Sequence, residues 1–184
     1  NEIPQVKYFV IQNPRTVNLR ELDERIGREF GYPVFIKPCN MGSSVGVHKV
    51  KDKSGLAAAL ADAGRFDDHL LCEQGISVRE LEIAVAGNFP HYITSGVGEI
   101  KVNHEFYSYE AKYLDPKGAD LFLKAPIAAE TEREIQTLAA KAFSAVRGDG
   151  FARIDFFLDK DSGKLYLNEI NTLPGFTPIS MFPQ

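Results

Sequence analysis

Residues 153–175 constrain this chain more than any other stretch, because two runs within them alternate as strands do and a polar turn joins them. Arg153-Ile154-Asp155 lies in the first run, and Asn168-Glu169-Ile170-Asn171-Thr172-Leu173-Pro174-Gly175 in the second. Side chains along a strand alternate faces, so Arg153 and Asp155 point one way together, as do Glu169 and Asn171. Asp159-Lys160-Asp161-Ser162-Gly163-Lys164 reads as the turn, and a hairpin centred near Ser162 sets Asp155 roughly opposite Glu169. Directly opposed residues have Cβ atoms about 4.5–5.5 Å apart, and like charges there repel. Two carboxylates and an amide oxygen converging on one face make sense around a hard cation. Oxygen-only ligation suits Mg²⁺, which takes one or two carboxylates and fills its shell with water and phosphate oxygens. The plain alternative is a half-buried hairpin with a solvated outer face.

The 184 residues suit one domain or two closely joined lobes. A formal net charge of -4 argues against a nucleic-acid surface, which would carry a basic excess. No apolar run approaches the roughly 20 residues needed to span a bilayer, and no charged-then-apolar leader opens the chain, so neither nucleic acid nor membrane is an expected partner. Cys39 and Cys72 lack neighbouring Cys or His at zinc spacing and read as small buried thiols in a reducing cytoplasm. Both ends look cut: a strand-like run over residues 7–11 has little before it, and the chain stops on apolar residues without a polar tail. The expectation is an interior piece of a longer protein.

Asn18-Leu19-Arg20-Glu21 has the form of a helix start, with Leu19, Leu22, Ile26 and Phe30 following at helical spacing and Gly31 to end it. Pro33-Val34-Phe35-Ile36-Lys37 is short and nearly all apolar, as expected of a buried strand, and residues 45–50 read as a second strand after a loop. Ser54 is placed to cap a helix through Leu56, Leu60 and Ala63 that Gly64 closes. Residues 70–74 and 79–86 read as strands, with further short strands around 92–100. Residues 107–124 lack clear periodicity and read as loop. A helix over residues 130–146 turns Ile135, Leu138, Ala142 and Phe143 inward. Strands and helices alternate with several local hairpins, which favours α+β over a doubly wound parallel sheet.

Asn40-Met41-Gly42-Ser43-Ser44-Val45-Gly46-Val47 is a small-residue loop between two strands. Glycine lets backbone approach phosphate oxygens closely, and the hydroxyls of Ser43 and Ser44 add donors. No lysine follows Gly46 and a strand comes next, so this is not a Walker A loop; it is similar to the flap that covers phosphates in kinases. Glycine-rich hairpins without a ligand are also common. Lys37 ends the apolar strand just before the loop, where its ammonium needs a phosphate or a route to solvent. Glu73 ends one strand, and Glu80 and Glu82 share a face of the next. A carboxylate can accept both ribose hydroxyls of a nucleotide, and a solvated strand face is the alternative. Lys112 and Tyr113 fall in the irregular stretch, where a lid would carry a cation to phosphates. The four histidines show no partner spacing and receive no role.

Together these pieces resemble the ATP-grasp superfamily and, within it, the D-alanine–D-alanine ligases. The matches are Phe35-Ile36-Lys37-Pro38, Gly42-Ser43-Ser44-Val45-Gly46-Val47, Tyr109-Glu110-Ala111-Lys112-Tyr113, Ala152-Arg153-Ile154-Asp155 and Asn168 through Gly175 with Phe176-Thr177, in family order across nearly the whole chain. The resemblance implies an α+β, ATP-grasp fold of two lobes with antiparallel sheets and flanking helices. Residues 1–75 would form the smaller ATP-binding lobe, and 76–184 the larger one with the metal and catalytic residues. It implies a cytoplasmic ligase that uses ATP, two Mg²⁺ ions (Mn²⁺ able to substitute) and D-alanine, and makes D-alanyl-D-alanine for peptidoglycan through a D-alanyl phosphate. A homodimer of the full-length protein is compatible with it.

Position by position, the resemblance implies that Lys37 contacts the α- and β-phosphates while Ser43, Ser44, Val45 and Gly46 cover them. Glu73 would lie at the adenine hinge, Glu80 at the ribose and Lys112 at the γ-phosphate. Asp155, Glu169 and Asn171 would hold the metal ions, and Arg153 with the Gly175 backbone would stabilise the tetrahedral intermediate. Ser180 and Met181 would lie at the second D-alanine's carboxylate, and the Glu-Ala-Lys-Tyr form ending in Tyr113 accompanies D-alanine as acceptor. The family's N-terminal domain would lie before Asn1. Two alternatives stay open: a related carboxylate–amine ligase with another acceptor, and a nucleotide-binding fragment without turnover. A protein kinase is disfavoured, since no His-Arg-Asp or Asp-Phe-Gly motif appears.

Overall fold

The computed structural model describes residues 2–102, 119–177 and 180–184. The chain divides into two compact units, one holding Val6–Ile76, the other holding Ser77–Lys101 and Asp120–Gln184 with the first residues up to Gln5. Among the described residues, no helix is long and apolar enough to cross a membrane.

The first unit is a four-stranded antiparallel sheet in the order β1-β4-β2-β3, formed by β1 (Tyr8–Gln12), β2 (Val34–Pro38), β3 (His48–Val50) and β4 (His69–Gln74). Helices α1 (Leu19–Glu29) and α2 (Leu56–Ala63) pack with it around Phe9, Ile11, Leu22, Ile26, Ile36 and Leu70. Helix α1 begins where expected: Asn18 Oδ1 accepts from the N–H groups of Arg20 (3.0 Å) and Glu21 (3.4 Å), satisfying donors that the first helical turn leaves open. It ends as the N–H groups of Phe30 and Gly31 both reach Ile26 O, with Gly31 at φ 73°. Three details differ from the sequence-based expectations. Strand β2 buries Val34, Ile36 and Pro38 on one face only, leaving Phe35 and Lys37 together on the other. Strand β3 is three residues long because turns occupy Ser43 to Gly46. Asp52, not Ser54, caps the approach to α2, accepting from Ser54 N–H at 2.8 Å at the head of a 3-10 turn over Lys53–Gly55.

The second unit is a five-stranded sheet in the order β7-β6-β5-β8-β9. Its strands are β5 (Val78–Asn88), β6 (His91–Val102), β7 (Ala119–Phe122), β8 (Gly150–Asp159) and β9 (Leu165–Asn171). One long strand, β6, replaces the short strands expected around residues 92–100, and β7 lies where loop was expected. Helix α3 (Ala129–Ala145) covers one face, burying Ile135, Ala139, Ala142 and Phe143 against Leu81, Ile83, Val97, Ile154 and Phe156. Ala139 takes the fully buried place expected of Leu138, which is partly buried. The other face of the sheet carries the polar residues.

Candidate active site

Strand β5 pairs with β8, and β8 with β9, both antiparallel. The register sets Glu82 opposite Asp155 and Asp155 opposite Glu169, so three carboxylates stand abreast. In the next row Ala84, Arg153 and Asn171 are aligned. A bulge makes this possible. The pairing runs Phe156 to Leu167, then Asp155 to Glu169, leaving Asn168 as the extra residue. Were Asn168 an ordinary ladder residue, Glu169 and Asn171 would share the core-facing side of Leu165 and Leu167; as an unpaired extra residue it reverses the faces beyond it.

Arg153 is the cation of the row. Its Nε donates to Asp155 Oδ1 and its Nη2 to Asp155 Oδ2, both at 2.7 Å, a bidentate pair of the strong, charge-assisted kind. Nε also lies 3.5 Å from Glu82 Oε2. Burial works to lower the Arg153 pKa, but Asp155, then Glu82 and Glu169, outweigh it, so the guanidinium stays charged above its ordinary value. Burial is also the largest influence on Glu82. It pushes that carboxyl up to about 7, Asp155 adds to the rise, and Arg153 opposes it. Glu80 lies on the same face, half-buried, opposite Phe157 of β8.

The chain beyond β9 stays on this face. Asn171 Oδ1 accepts from Leu173 N–H at 3.2 Å and turns the backbone out of the strand. Ser180 Oγ accepts from Thr177 N–H (3.2 Å) and pairs with Thr177 Oγ1 (2.9 Å). A Cβ placed on Gly175 would lie 3.1 Å from the same Oγ, so Gly175 and Ser180 are neighbours. Two contacts anchor the segment. Phe176 and Phe182 pack on Phe151, which shares a strand face with Arg153, with ring centroids 5.4–5.9 Å apart. Met181 lies over Gly98, the β6 partner of Glu82, where a Cβ would come within 3.2 Å of Met181 Cε. Glu80, Arg153, Asp155, Glu169, Asn171, Gly175 and Ser180 are thus gathered on one side of one sheet or on the segment crossing it.

The remaining candidates lie in the four-stranded unit. Lys37 Nζ donates to Glu73 Oε1 at 2.7 Å, and Glu73 is buried. The ammonium therefore has a carboxylate partner, in addition to the phosphate and solvent routes considered from sequence. No local pattern shows this pairing, because it requires β2 and β4 to lie side by side. The loop after β2 is pinned at its base by Asp67, whose Oδ2 accepts from Asn40 N (2.7 Å) and Nδ2 (2.8 Å). Ser43 and Ser44 both adopt positive φ (55° and 59°), and Gly46 follows at 70°. A Cβ on Gly46 would lie 2.7 Å from the Phe66 ring, so space and backbone both require glycine there. Val45 N–H bonds back to Gly42 O at 3.1 Å. Lys112 and Tyr113 lie outside the described residues.

Among the described residues, no three His, Cys, Asp or Glu side chains stand close enough to hold a metal ion as they are. The donor chemistry nonetheless fits a hard cation: adjacent carboxylates of Asp155 and Glu169, and an Asn171 oxygen with a second lone pair beyond the one given to Leu173. What separates arrangement from coordination is Asp155, whose two oxygens face Arg153. Glu82 is the member of the row that sequence reasoning considered only for ribose hydroxyls, alongside Glu80; its place beside Arg153 depends on a β5–β8 pairing between distant segments.

Two antiparallel sheets flanked by a few helices, with these polar constellations, define the ATP-grasp fold. The family model described as "D-ala D-ala ligase C-terminus" matches residues 1–184, and the chain belongs to that family. It is 48% identical over 186 residues to the D-alanine–D-alanine ligase of Heliobacterium modesticaldum, covering 100% of this chain and 50% of the relative. It resembles the crystal structure of D-alanyl-alanine synthetase A from Vibrio cholerae with a TM-score of 0.84 at 35% identity, covering 99% of this chain and 54% of that one. VanG D-Ala:D-Ser ligase from Enterococcus faecalis is equally similar, with a TM-score of 0.84 at 35% identity, covering 98% and 51%. The chain thus spans about half the length of the relatives it matches.

Proposed function

We propose that the chain supplies the phosphate- and metal-handling part of an ATP-dependent, ADP-forming ligase that joins two D-alanine molecules for peptidoglycan synthesis. The observation that carries this reading is the β8–β9 register, with Asp155 opposite Glu169 and Arg153 opposite Asn171, and with Gly175 and Ser180 neighbours beyond β9. In the first step a D-alanine carboxylate oxygen attacks the γ-phosphorus of ATP, and the bond to the departing ADP oxygen breaks. The amine of a second D-alanine then attacks the acyl carbonyl and gives up a proton, and phosphate leaves with its bonding pair. Such chemistry needs positive charge around the phosphoryl group and afterwards around an oxyanion. Bound magnesium would neutralise phosphoryl charge, and Asp155, Glu169 and Asn171 are the residues to hold it.

Arg153, charged and fixed by carboxylates, is suited to the oxyanion, and the Gly175 N–H is assigned to assist it. We assign the adenine and the α- and β-phosphates to the four-stranded unit, and the ribose, the metal and the reacting groups to the five-stranded one. Lys37 and the loop of Ser43, Ser44, Val45 and Gly46 serve the phosphates, Glu73 the adenine side, Glu80 the ribose and Lys112 the γ-phosphate. Ser180 and Met181 receive the acceptor's carboxylate, and Tyr113 governs acceptor choice. With ATP as substrate, the cytoplasm is the assigned location, and sedimentation of the intact protein tests for a homodimer.

The experiment is product analysis by mass spectrometry after incubating the intact protein with ATP, Mg²⁺ and D-alanine. D-alanyl-D-alanine with stoichiometric phosphate is expected; no dipeptide and no phosphate would overturn the assignment. The equal likeness to a D-Ala:D-Ser ligase supports a second reading, D-serine as acceptor. Competition among D-alanine, D-serine and D-lactate separates the two.

A further inference from the structure

Both Asp155 oxygens accept from Arg153, at 2.7 Å each, so a cation approaching that carboxylate meets a like charge already bound to it. Metal binding there therefore competes with a guanidinium, and a partly buried guanidinium that loses its carboxylate is expensive. Glu82 is the carboxylate placed to receive it. It stands opposite Asp155 on β5, is 8% exposed, and its Oε2 lies 3.5 Å from Arg153 Nε, just beyond a strong hydrogen bond. A small rotation of the arginine's terminal torsions closes that distance without moving either strand. Glu169 flanks Asp155 on the other side, but it is itself assigned to the cation, and Glu80 lies a row further from Arg153.

We propose that Glu82 is a positioning residue that takes over the Arg153 guanidinium when a divalent cation takes the Asp155 carboxylate. Metal uptake and the freeing of Arg153 for the reacting carbonyl are then one exchange of partners. Arg153 acts as a built-in competitor for the metal's ligand, and Glu82 weakens that competition. This rests on the assignment of Asp155 to the metal.

The test is titration of the intact protein with Mn²⁺ alone, the free ion being read by electron paramagnetic resonance. Glu82→Gln leaves near Arg153 only Asp155 and Glu169, both assigned to the metal, and should weaken Mn²⁺ binding about 10-fold, as loss of an outer-shell partner does. In an Arg153→Met background the competitor is gone, and the same Glu82→Gln change should cost less than about 3-fold. Glu82→Asp keeps the charge on a shorter arm and should fall between, again only with Arg153 present; it serves if the Gln variant fails to fold by circular dichroism. Unchanged Mn²⁺ affinity in Glu82→Gln, or an equal loss in both backgrounds, overturns the proposal. Asp155→Asn separates the two levels: if it leaves Mn²⁺ binding intact, the metal assignment itself fails, whereas weakened binding beside an indifferent Glu82 defeats only the exchange.

Discussion

Asp155 and Glu169 are adjacent carboxylates proposed to share the metal, so each should be needed for phosphoryl transfer more than for folding. Asp155→Asn and Glu169→Gln are each expected to lower Mg²⁺-dependent phosphate release about 100-fold or more, given several kcal/mol of lost charge stabilisation. Far-UV circular dichroism should match the parent, because Glu82 remains to pair with Arg153. The two cysteines make a second case. Both read from sequence as buried, yet Cys39 is exposed and Cys72 is buried, its thiol pushed up to about 12 chiefly by burial. A thiol reagent near pH 8 should titrate one cysteine in the native protein and both in denaturant. The difference comes from strand placement: Cys72 sits in the middle of β4, whereas Cys39 follows the end of β2.

Helix α1 behaves as its local sequence requires, from the Asn18 cap to the Gly31 stop. Asn18→Ala should cost about 1 kcal/mol in urea unfolding, the usual value of a lost N-cap. The chain after β9 opens on a local turn at Asn171, but its place against the sheet depends on distant residues. It is held to its sheet by Phe151, Phe176 and Phe182, although Phe176 remains 62% exposed. Each aromatic pair is worth about 0.5–1.5 kcal/mol beyond the area it buries. Phe151→Ala removes two of the three pairs, so limited proteolysis beyond residue 173 should accelerate about 10-fold. Cleavage within β8 should remain slow. Unchanged proteolysis would show that Met181 over Gly98 suffices as an anchor.

Across the molecule, acid stability should follow three turn-capping aspartates, Asp52, Asp67 and Asp159. All three have folded pKa values below the ordinary 3.8: Asp52 through Ser54, Asp67 through the His69 and Asn40 amides, Asp159 through Ser162 and Asp161. A depressed carboxyl contributes stability that is complete above its unfolded value and lost as pH falls through the folded one. The thermal midpoint should therefore decline below 3.8, whereas from about pH 7 to about pH 5 it should rise slightly on acidification, because burial pushes the Glu82 carboxyl up to about 7. Replacing all three by Asn should lower the neutral-pH midpoint and flatten the acid limb. A parent protein whose midpoint rises on acidification below 3.8 would contradict this. The two apolar cores, one about Ile26 and Ile36 and one about Phe143 and Phe156, belong to separate units of a chain about half as long as its relatives.

Short-range features were legible in the chain itself: alternation in β8, the cap of α1, the turn near Ser162 and the family-ordered motifs. They depend on residues a few positions apart, where steric and hydrogen-bond preferences act without outside help. Pairing between distant segments was not legible. The Lys37–Glu73 ion pair needs β2 beside β4, and Glu82 meets Arg153 only once β5 lies along β8. The bulge at Asn168 is the sharpest instance. Period-two reading places Glu169 and Asn171 on a common face, but which face depends on the unpaired residue that the β8 ladder leaves out. Local sequence chose the chemical groups; the long-range hydrogen-bond ladder, which no single strand can encode alone, chose the side of the sheet on which they meet.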